Sequence, residues 1–199
     1  MSSLPSARRI GVLLAAGRGS RMGRTKQLLP WQTVEGTKPL VAAAYDAISS
    51  ICDEMIVVIG HDADAVSAAL GDRRFHRAQS DPDVPMFRSI RAGLEVARGL
   101  DPAATVVLQP ADHPEVARST LAALTEKSLQ YPHQAIIPEF ASQGGHPILI
   151  SPAVISRLLV SESPAGLGDF WISYPEYCVR IAVDDASVCR DIDTPEDLV

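Results

Sequence analysis

The chain has 199 residues, of which 46% are hydrophobic, so it can bury one sizeable core, and we expect a single domain over residues 1–199 with residues 1–8 flexible. Its formal charge of −6 argues against nucleic-acid binding, because no basic stripe is available for a phosphate backbone. No apolar run approaches membrane-spanning length and no signal peptide is recognised, so we expect a cytoplasmic protein. Cys52, Cys178 and Cys189 lack CxxC spacing, which favours reduced thiols over a disulfide or a metal site.

Apolar runs separated by helical patterns predict βαβ units around a mostly parallel sheet, which is an open, Rossmann-like α/β fold. The predicted strands cover residues 10–16, 55–60, 104–108, 135–138, 147–150 and 178–183. The predicted helices cover residues 39–51, 62–70, 86–98, 116–129 and 152–160, with Asp62 as the N-cap of the second and Pro85 in the first turn of the third. In such sheets ligands bind beyond the carboxyl ends of the strands, so we examined the polar residues there.

The first strand leads into a loop that is rich in glycine and in positive charge. Glycines there allow the backbone to approach a ligand closely, and the cations can neutralise a polyphosphate. These residues are Gly17, Gly19, Gly23, Arg18, Arg21, Arg24 and Lys26. The alternative is an ordinary tight turn with solvated charges.

Two common phosphate-loop fingerprints do not match this loop. The dinucleotide pattern G-x-G-x-x-G fails because Met22 occupies its last position, and no acidic residue closes a second strand about 20 residues further on. The P-loop pattern fails because Lys26 is followed by Gln27 rather than by serine or threonine. The sequence therefore disfavours both a nicotinamide-dependent dehydrogenase and a P-loop protein.

Residues 14–29 read L-A-A-G-R-G-S-R-M-G-R-T-K-Q-L-L, which resembles the opening signature of nucleotidyltransferases that move an NMP from an NTP. Among these the chain resembles the MobA-like NTP transferases, and in particular the cytidylyltransferases of molybdenum cofactor maturation. The resemblance implies the nucleotide-diphospho-sugar transferase type of fold, and Ala16 favours CTP, because guanylyl-transferring relatives carry glycine there. It assigns nucleotide binding to Leu14, Ala15, Ala16, Gly17, Arg18, Gly19, Ser20, Arg21, Lys26, Ser89 and Pro110.

A carboxylate follows the predicted strand 104–108. On spacing alone, Asp112 is equally well explained as a metal ligand or as a turn former that caps the next helix. The resemblance favours the metal ligand, since related enzymes carry D-x-P at this position and bind Mg²⁺ there. Ala111 and His113 replace the family's glycine and glutamine, and we interpret His113 as a surface residue rather than a substrate contact.

The string D-I-D-T-P-E-D-L at residues 191–198 also ends related sequences. Asp193, or else Asp191, could supply a second carboxylate to the metal bound by Asp112. The same residues predict a helix start with Pro195 at its first position and Asp197 completing a capping box. Both interpretations can hold together, because a capped helix start would position the preceding aspartate.

The segment 85–94 resembles the family's G-M-x-x-S-[LIV]-x-x-G, with Pro85 in place of the first glycine, and the resemblance makes Ser89 a contact of the nucleotide base. Met86, Ile90 and Leu94 also fall at helical spacing and describe a core face, which leaves Ser89 and Gly93 unexplained.

The prediction of an acceptor pocket depends on the string G-G-H-P at residues 144–147. The resemblance places Gly145, His146 and Pro147 at the rim of the acceptor pocket, although a histidine before proline is equally typical of a structural role. A G-x-R element that closes over the substrate in relatives is missing between Ser163 and Trp171. Its absence leaves the identity of the acceptor in question.

Together these features predict a Mg²⁺-dependent enzyme that moves CMP from CTP to a molybdopterin-type acceptor and releases pyrophosphate. Arg21 and Lys26 would stabilise developing charge, and Asp112 would hold the metal. The partner implied beyond small molecules is a molybdoenzyme that receives the cofactor. The alternatives are transfer to a sugar or alcohol phosphate and a non-catalytic nucleotide-binding protein that delivers a cofactor.

Overall fold

The computed structural model describes residues 8–17, 25–60, 62–81, 83, 85–161, 166–193 and 197. They form an α/β fold. Its strands are β1 (Arg9–Ala15), β2 (Pro30–Thr33), β3 (Gly36–Pro39), β4 (Glu54–Ile59), β5 (His76–Gln79), β6 (Thr105–Pro110), β7 (Ala135–Phe140), β8 (Gln143–Gly144), β9 (Ile148–Ile150) and β10 (Cys178–Ala182). Its helices are α1 (Leu40–Ser49), α2 (Ala63–Ala69), α3 (Met86–Leu100), α4 (Arg118–Gln130), α5 (Pro152–Val160) and α6 (Leu167–Ser173).

The main sheet has the strand order β10-β7-β9-β6-β1-β4-β5, with β8 paired to β7. Strand β1 lies in the interior of this sheet and pairs in parallel with β4 on one side and with β6 on the other. The chain therefore passes from β1 to β4 and β5 on one side of β1 and then crosses to β6 on the other side. The crevice between the carboxyl ends of β1 and β6 is the place where such sheets bind ligands.

Two apolar clusters cover the faces of the sheet. Alternate residues of β1 point to opposite faces, so Val12 packs on the side of α3 and α5, while Leu13 packs on the side of α1 and α4. All four of these helices bury an apolar stripe. This double burial explains why β1, β4 and β6 are almost continuously hydrophobic.

Helix α3 lies unusually close to the sheet at Gly93. A Cβ atom there would lie 2.5 Å from Val12 Cγ1 and 2.9 Å from Val58 Cγ2. The close packing accounts for this glycine, which helical periodicity alone leaves unexplained. It also sets the position of the first turn of α3 relative to the crevice.

The predicted α/β fold with a mostly parallel sheet is confirmed, and three details differ. The run 147–150 forms β9, which is antiparallel to β6 and β7, because an apolar pattern carries no strand direction. Asp62 occupies the N-cap position of α2 as predicted, but its backbone is left-handed at φ 54° and its side chain makes no capping hydrogen bond; its carboxylate instead accepts a hydrogen bond from the Thr25 hydroxyl. Pro85 is the N-cap of α3 rather than a residue of its first turn. The short elements β2, β3, β5, β8 and α6 were not predicted.

Among the described residues, no helix has the length and apolar character needed to cross a membrane. Cys52, Cys178 and Cys189 are free thiols.

Candidate active site

A cleft opens between the carboxyl ends of β1 and β6. Its floor is formed by the end of β1 and the residues that follow β6, and its walls by a short 3₁₀ helix, Lys26–Leu28, and the first turn of α3. The described lining residues are Leu14, Ala16, Gly17, Lys26, Gln27, Leu40, Met86, Ser89, Pro110, Ala111 and Asp112. Six of the residues predicted to bind nucleotide therefore line one cleft: Leu14, Ala16, Gly17, Lys26, Ser89 and Pro110. Ala15 is fully buried beneath it.

The glycine-rich loop joins β1 to the 3₁₀ helix. The predicted ligands Arg18, Gly19, Ser20 and Arg21 lie outside the described residues. On the near side of the loop, the Gln27 side-chain amide donates hydrogen bonds to the carbonyl oxygens of Gly17, at 2.9 Å, and Ala15, at 3.4 Å. Gln27 thus ties the two ends of the loop together, a role that its place in the K-Q-L-L string could have suggested.

The Lys26 ammonium lies between two carboxylates that are distant in sequence. Its Nζ is 2.9 Å from Asp112 Oδ2 and 2.6 Å from Asp193 Oδ1. Burial alone would lower the pKa of Lys26, but the hydrogen bonds and charges of Asp193 and Asp112 outweigh burial and raise its pKa above the ordinary value. Lys26 therefore stays protonated and holds the two carboxylates in one cluster.

The backbone explains why Asp193 reaches this cluster. The Ile192 N–H donates to the Asp112 carbonyl oxygen at 3.0 Å, and the fully buried Ile192 side chain packs with Trp31 and Leu40. The Asp193 N–H donates to the Asp197 carboxylate at 3.0 Å. Asp191, the other predicted candidate, is exposed and makes no described contact with Lys26.

These carboxylates suit a divalent cation, although Lys26 contacts both of them. Asp112 Oδ1 is buried and has no hydrogen-bond partner among the described residues, and carboxylate oxygens are the ligands that Mg²⁺ and Mn²⁺ prefer. Within the described part of the chain, no cluster of three or more His, Cys, Asp or Glu side chains could hold a metal. A cation here would take its remaining ligands from substrate phosphates and water.

Two buried histidines lie beneath Asp112. The rings of His113 and His146 meet edge to face with centroids 5.2 Å apart, and His113 Nε2 lies 3.8 Å from Asp112 Oδ1. Burial lowers the pKa of His113, and burial together with the neighbouring His113 lowers the pKa of His146 to about 4. Both rings are therefore neutral at pH 7. The interpretation of His113 as a surface residue is wrong, because the turn after β6 folds its ring inward, where it is only 9% exposed.

Unpaired polar atoms concentrate at this edge of the sheet. Among the described residues, the buried side-chain atoms without a hydrogen-bond partner are Gln27 Oε1, Gln109 Oε1, Asp112 Oδ1, His113 Nδ1 and His146 Nδ1. Buried polar groups in folded proteins are almost always paired, so such a cluster marks a place that water or a ligand completes.

A second pocket of about 360 Å³ adjoins the cleft and shares Leu14, Met86 and Pro110 with it. Of the predicted acceptor residues, Gly145 and His146 line this pocket, whereas Pro147 is buried and does not. A Cβ atom at Gly145 would lie 2.2 Å from the Val188 carbonyl oxygen, so this position has no room for a side chain. The other described lining residues are Phe87, Ile90, Ile137, Gly144, Ile148, Gly166, Leu167, Gly168, Trp171 and Arg180.

Ser89 lies where the cleft meets α3. It is 7% exposed, and its hydroxyl is 2.9 Å from that of Ser80, which follows β5. No sequence pattern indicates Ser80, since strand β5 is polar and carries no apolar pattern. Ser89 lines the cleft, and Ser80 holds its hydroxyl from behind.

The MobA-like NTP transferase domain model matches residues 11–176. The molybdenum cofactor cytidylyltransferase of Escherichia coli K12 is 23% identical over 190 residues, which cover 94% of this chain and 92% of that protein. The bifunctional protein GlmU of Halalkalibacterium halodurans is 40% identical over 74 residues, but these cover 37% of this chain and only 16% of GlmU.

Solved structures also share the fold of this chain. The crystal structure of Rv0371c from Mycobacterium tuberculosis H37Rv superposes with a TM-score of 0.79 and 29% identity, covering 96% of this chain and 95% of that one. A structure of Rv0371c in complex with manganese gives a TM-score of 0.75 and 28% identity over the same shares of both chains. The chain belongs to the family of the MobA-like NTP transferase domain.

Proposed function

We propose that this nucleotidyltransferase moves CMP from CTP to the phosphate of a molybdopterin-type acceptor and releases pyrophosphate. The observation that carries the proposal is the cluster of Lys26, Asp112 and Asp193 beside the start of the glycine-rich loop. The likeness to the E. coli molybdenum cofactor cytidylyltransferase over nearly its whole length supports the choice of base and acceptor.

Asp112 and Asp193 would hold a divalent cation, and the manganese complex of Rv0371c, a similar protein, supports the presence of a divalent metal. Mg²⁺ is our proposal for the cell, since nucleoside triphosphates bind it readily. When bound, such a cation neutralises the α-phosphate and the leaving pyrophosphate. Asp193 is our choice over Asp191, because Lys26 brings Asp193 and Asp112 together.

The residues of the chain contribute position and charge. The base would lie near Ala15, Ala16 and Ser89, and the triphosphate would follow the loop from Gly17, where Arg21 is proposed to contact it. Lys26 already lies in the cleft, and its ammonium would turn from the carboxylates to the phosphates.

An oxygen of the acceptor phosphate, dianionic at neutral pH, attacks the α-phosphorus of CTP in line. The bond from that phosphorus to the bridging oxygen breaks, and pyrophosphate leaves with its electron pair. No protein nucleophile or base is required, so the chain acts by orientation and electrostatics. The acceptor would enter from the second pocket, past Gly145 and His146.

Asp112→Asn and Lys26→Met test this function. We expect each to lower pyrophosphate release from CTP, with Mg²⁺ and a phosphorylated pterin, by roughly a hundredfold or more, because Asp112→Asn removes a charged ligand of the metal and Lys26→Met removes a positive charge that would face the phosphates. Circular dichroism would check folding. The exposed Asp184→Asn is the matched control and should retain full activity.

Wild-type turnover in Asp112→Asn would contradict the assignment. If the protein transferred CMP to sugar or alcohol phosphates but never to the pterin, the true acceptor would be one of those phosphates and not the proposed pterin. Nucleotide binding without turnover on any acceptor would favour a cofactor-delivery protein.

A further inference from the structure

Arg180 projects from the edge strand β10 across β7. It is paired in register with Ile137, and its Nη1 lies so close to Gly144 that a Cβ atom there would be only 2.6 Å away. Its Nη1 donates a hydrogen bond to Glu139 Oε2 at 3.5 Å, near the limit for such a bond, within an ion pair between the two side chains. The side chain remains 45% exposed. The guanidinium thus keeps donors directed toward the pocket and is held only loosely.

The surroundings of Arg180 in the second pocket are almost entirely apolar. Ile137, Trp171 and Leu167 form walls near it, and His146, the other titratable residue of the described lining, is neutral at pH 7. Arg180 is therefore the only formal charge among the described lining residues. A single arginine at the edge of an apolar pocket is suited to a planar anionic group, which its fork of N–H donors can bind in a bidentate manner.

The position of Arg180 separates it from the reacting phosphate. Arg180 lines the second pocket but not the cleft, whereas Asp112 lines the cleft but not the second pocket. The guanidinium thus lies in the part of the second pocket that the cleft does not share. It would contact the part of an acceptor that points away from the nucleotide.

We propose that Arg180 binds a second anionic group of the acceptor, at the end opposite the phosphate that attacks the nucleotide. This inference rests on the proposed function of the cleft. The acceptor class is then a phosphate monoester that carries a second anionic group at its other end. Arg180 would supply the cation that the chain lacks between Ser163 and Trp171.

A matched pair of small probes tests the proposal. Phenyl phosphate and 4-carboxyphenyl phosphate differ only in an acidic group opposite the phosphate. Binding can be followed by the fluorescence of Trp171 in a Trp31→Phe background, since the chain has two tryptophans. We expect the carboxylated probe to bind about tenfold more tightly than phenyl phosphate, and Arg180→Met to remove the difference while leaving affinity for phenyl phosphate unchanged.

Two further variants test whether the preference depends on the position of the Arg180 guanidinium or only on the presence of a positive charge. Gly144→Ala keeps the arginine but displaces its guanidinium, and it should lose most of the preference. Arg118→Met, on the exposed start of α4, is the control and should keep it. Equal affinity of the wild type for the two probes, or an unchanged preference in Arg180→Met, would overturn the proposal.

Transfer kinetics distinguish this inference from the proposed function. With an acceptor that the wild type uses, Arg180→Met should raise the KM for that acceptor about tenfold and leave kcat and the KM for CTP unchanged. If Arg180→Met transfers CMP with an unaltered KM for the acceptor, only the role of Arg180 is overturned. Absence of transfer to every acceptor by the wild type overturns the proposed function.

Discussion

At the level of single side chains, burial keeps a pair of histidines neutral beneath the cleft. His113 and His146 contact each other, and neither ring carries a charge at neutral pH. A neutral pair adds no positive charge below Asp112, so the histidines do not weaken the attraction of this carboxylate for cations.

The low pKa of His146 predicts a loss of stability in acid. Its pKa is about 4 in the folded chain and about 6.5 in an unfolded one, so the unfolded state binds more protons between these values. Stability that is present above pH 6.5 should therefore be lost as the pH falls toward 4, by up to about 3 kcal/mol. Urea unfolding measured from pH 7 to pH 4 would show the decline.

His146→Gln provides the comparison for that measurement. It should be less stable than the wild type at pH 7, because it disturbs a packed ring, but it should lose less stability in acid. Parallel curves for the two proteins over this pH range would contradict the buried, neutral assignment.

At the level of elements, Gly93 allows α3 to pack closely against the sheet. Gly93→Ala should push the helix away from Val12 and Val58 and lower the free energy of unfolding by about 1–3 kcal/mol, the usual cost of overpacking. Since Met86 and Ser89 line the cleft from the same helix, nucleotide affinity should fall as well. Urea denaturation and a CTP titration would measure the two effects.

Gly99→Ala is the matched control in the same helix. Nothing lies within 4 Å of a Cβ atom there, so the substitution should stabilise the helix by about 0.5–1 kcal/mol. Equal effects at Gly93 and Gly99 would show that backbone flexibility, rather than close packing, explains the first glycine.

At the level of the whole molecule, the site joins two distant parts of the chain. Lys26 and Asp193 are 167 residues apart, and their contact depends on how the segment before Asp193 packs. Ile192 anchors that segment through its buried side chain and its backbone bond to Asp112.

Ile192→Ala should therefore weaken the site as well as the fold. We expect a loss of about 2–4 kcal/mol in unfolding free energy, typical of a buried truncation, and weaker binding of Mn²⁺ under conditions in which the variant is folded. Calorimetry and metal titration would measure both. Ile172→Ala, at a position that is 80% exposed, should change neither, and wild-type Mn²⁺ affinity in Ile192→Ala would contradict this coupling.

The sequence predicted the long elements, since β1, β4 and β6 are buried on both faces and the helices have clear apolar periodicity. It did not predict the hairpin of β2 and β3 or the edge strand β5, because short, polar, exposed strands lack an apolar pattern. The direction of β9 depends on tertiary pairing, which periodicity does not encode.

The sequence likewise predicted only those parts of the candidate site that have a local pattern. The glycine-rich loop and Asp112 stand at strand ends that can be recognised locally. The inward turn of His113, the approach of Arg180 to Gly144 and the contact of Lys26 with both carboxylates depend on distant segments. A single sequence gives no signal for such contacts.

The contacts of Lys26 with Asp112 and Asp193 make substrate binding an exchange of counter-ions. In the free protein the ammonium partly neutralises the two carboxylates, so a bare divalent ion gains its new bonds only by displacing a charge that is already paired. A metal–nucleotide complex offers phosphate oxygens to the displaced ammonium in the same event. We therefore expect the metal and the triphosphate to enter together, with the lysine transferred from one set of anions to the other.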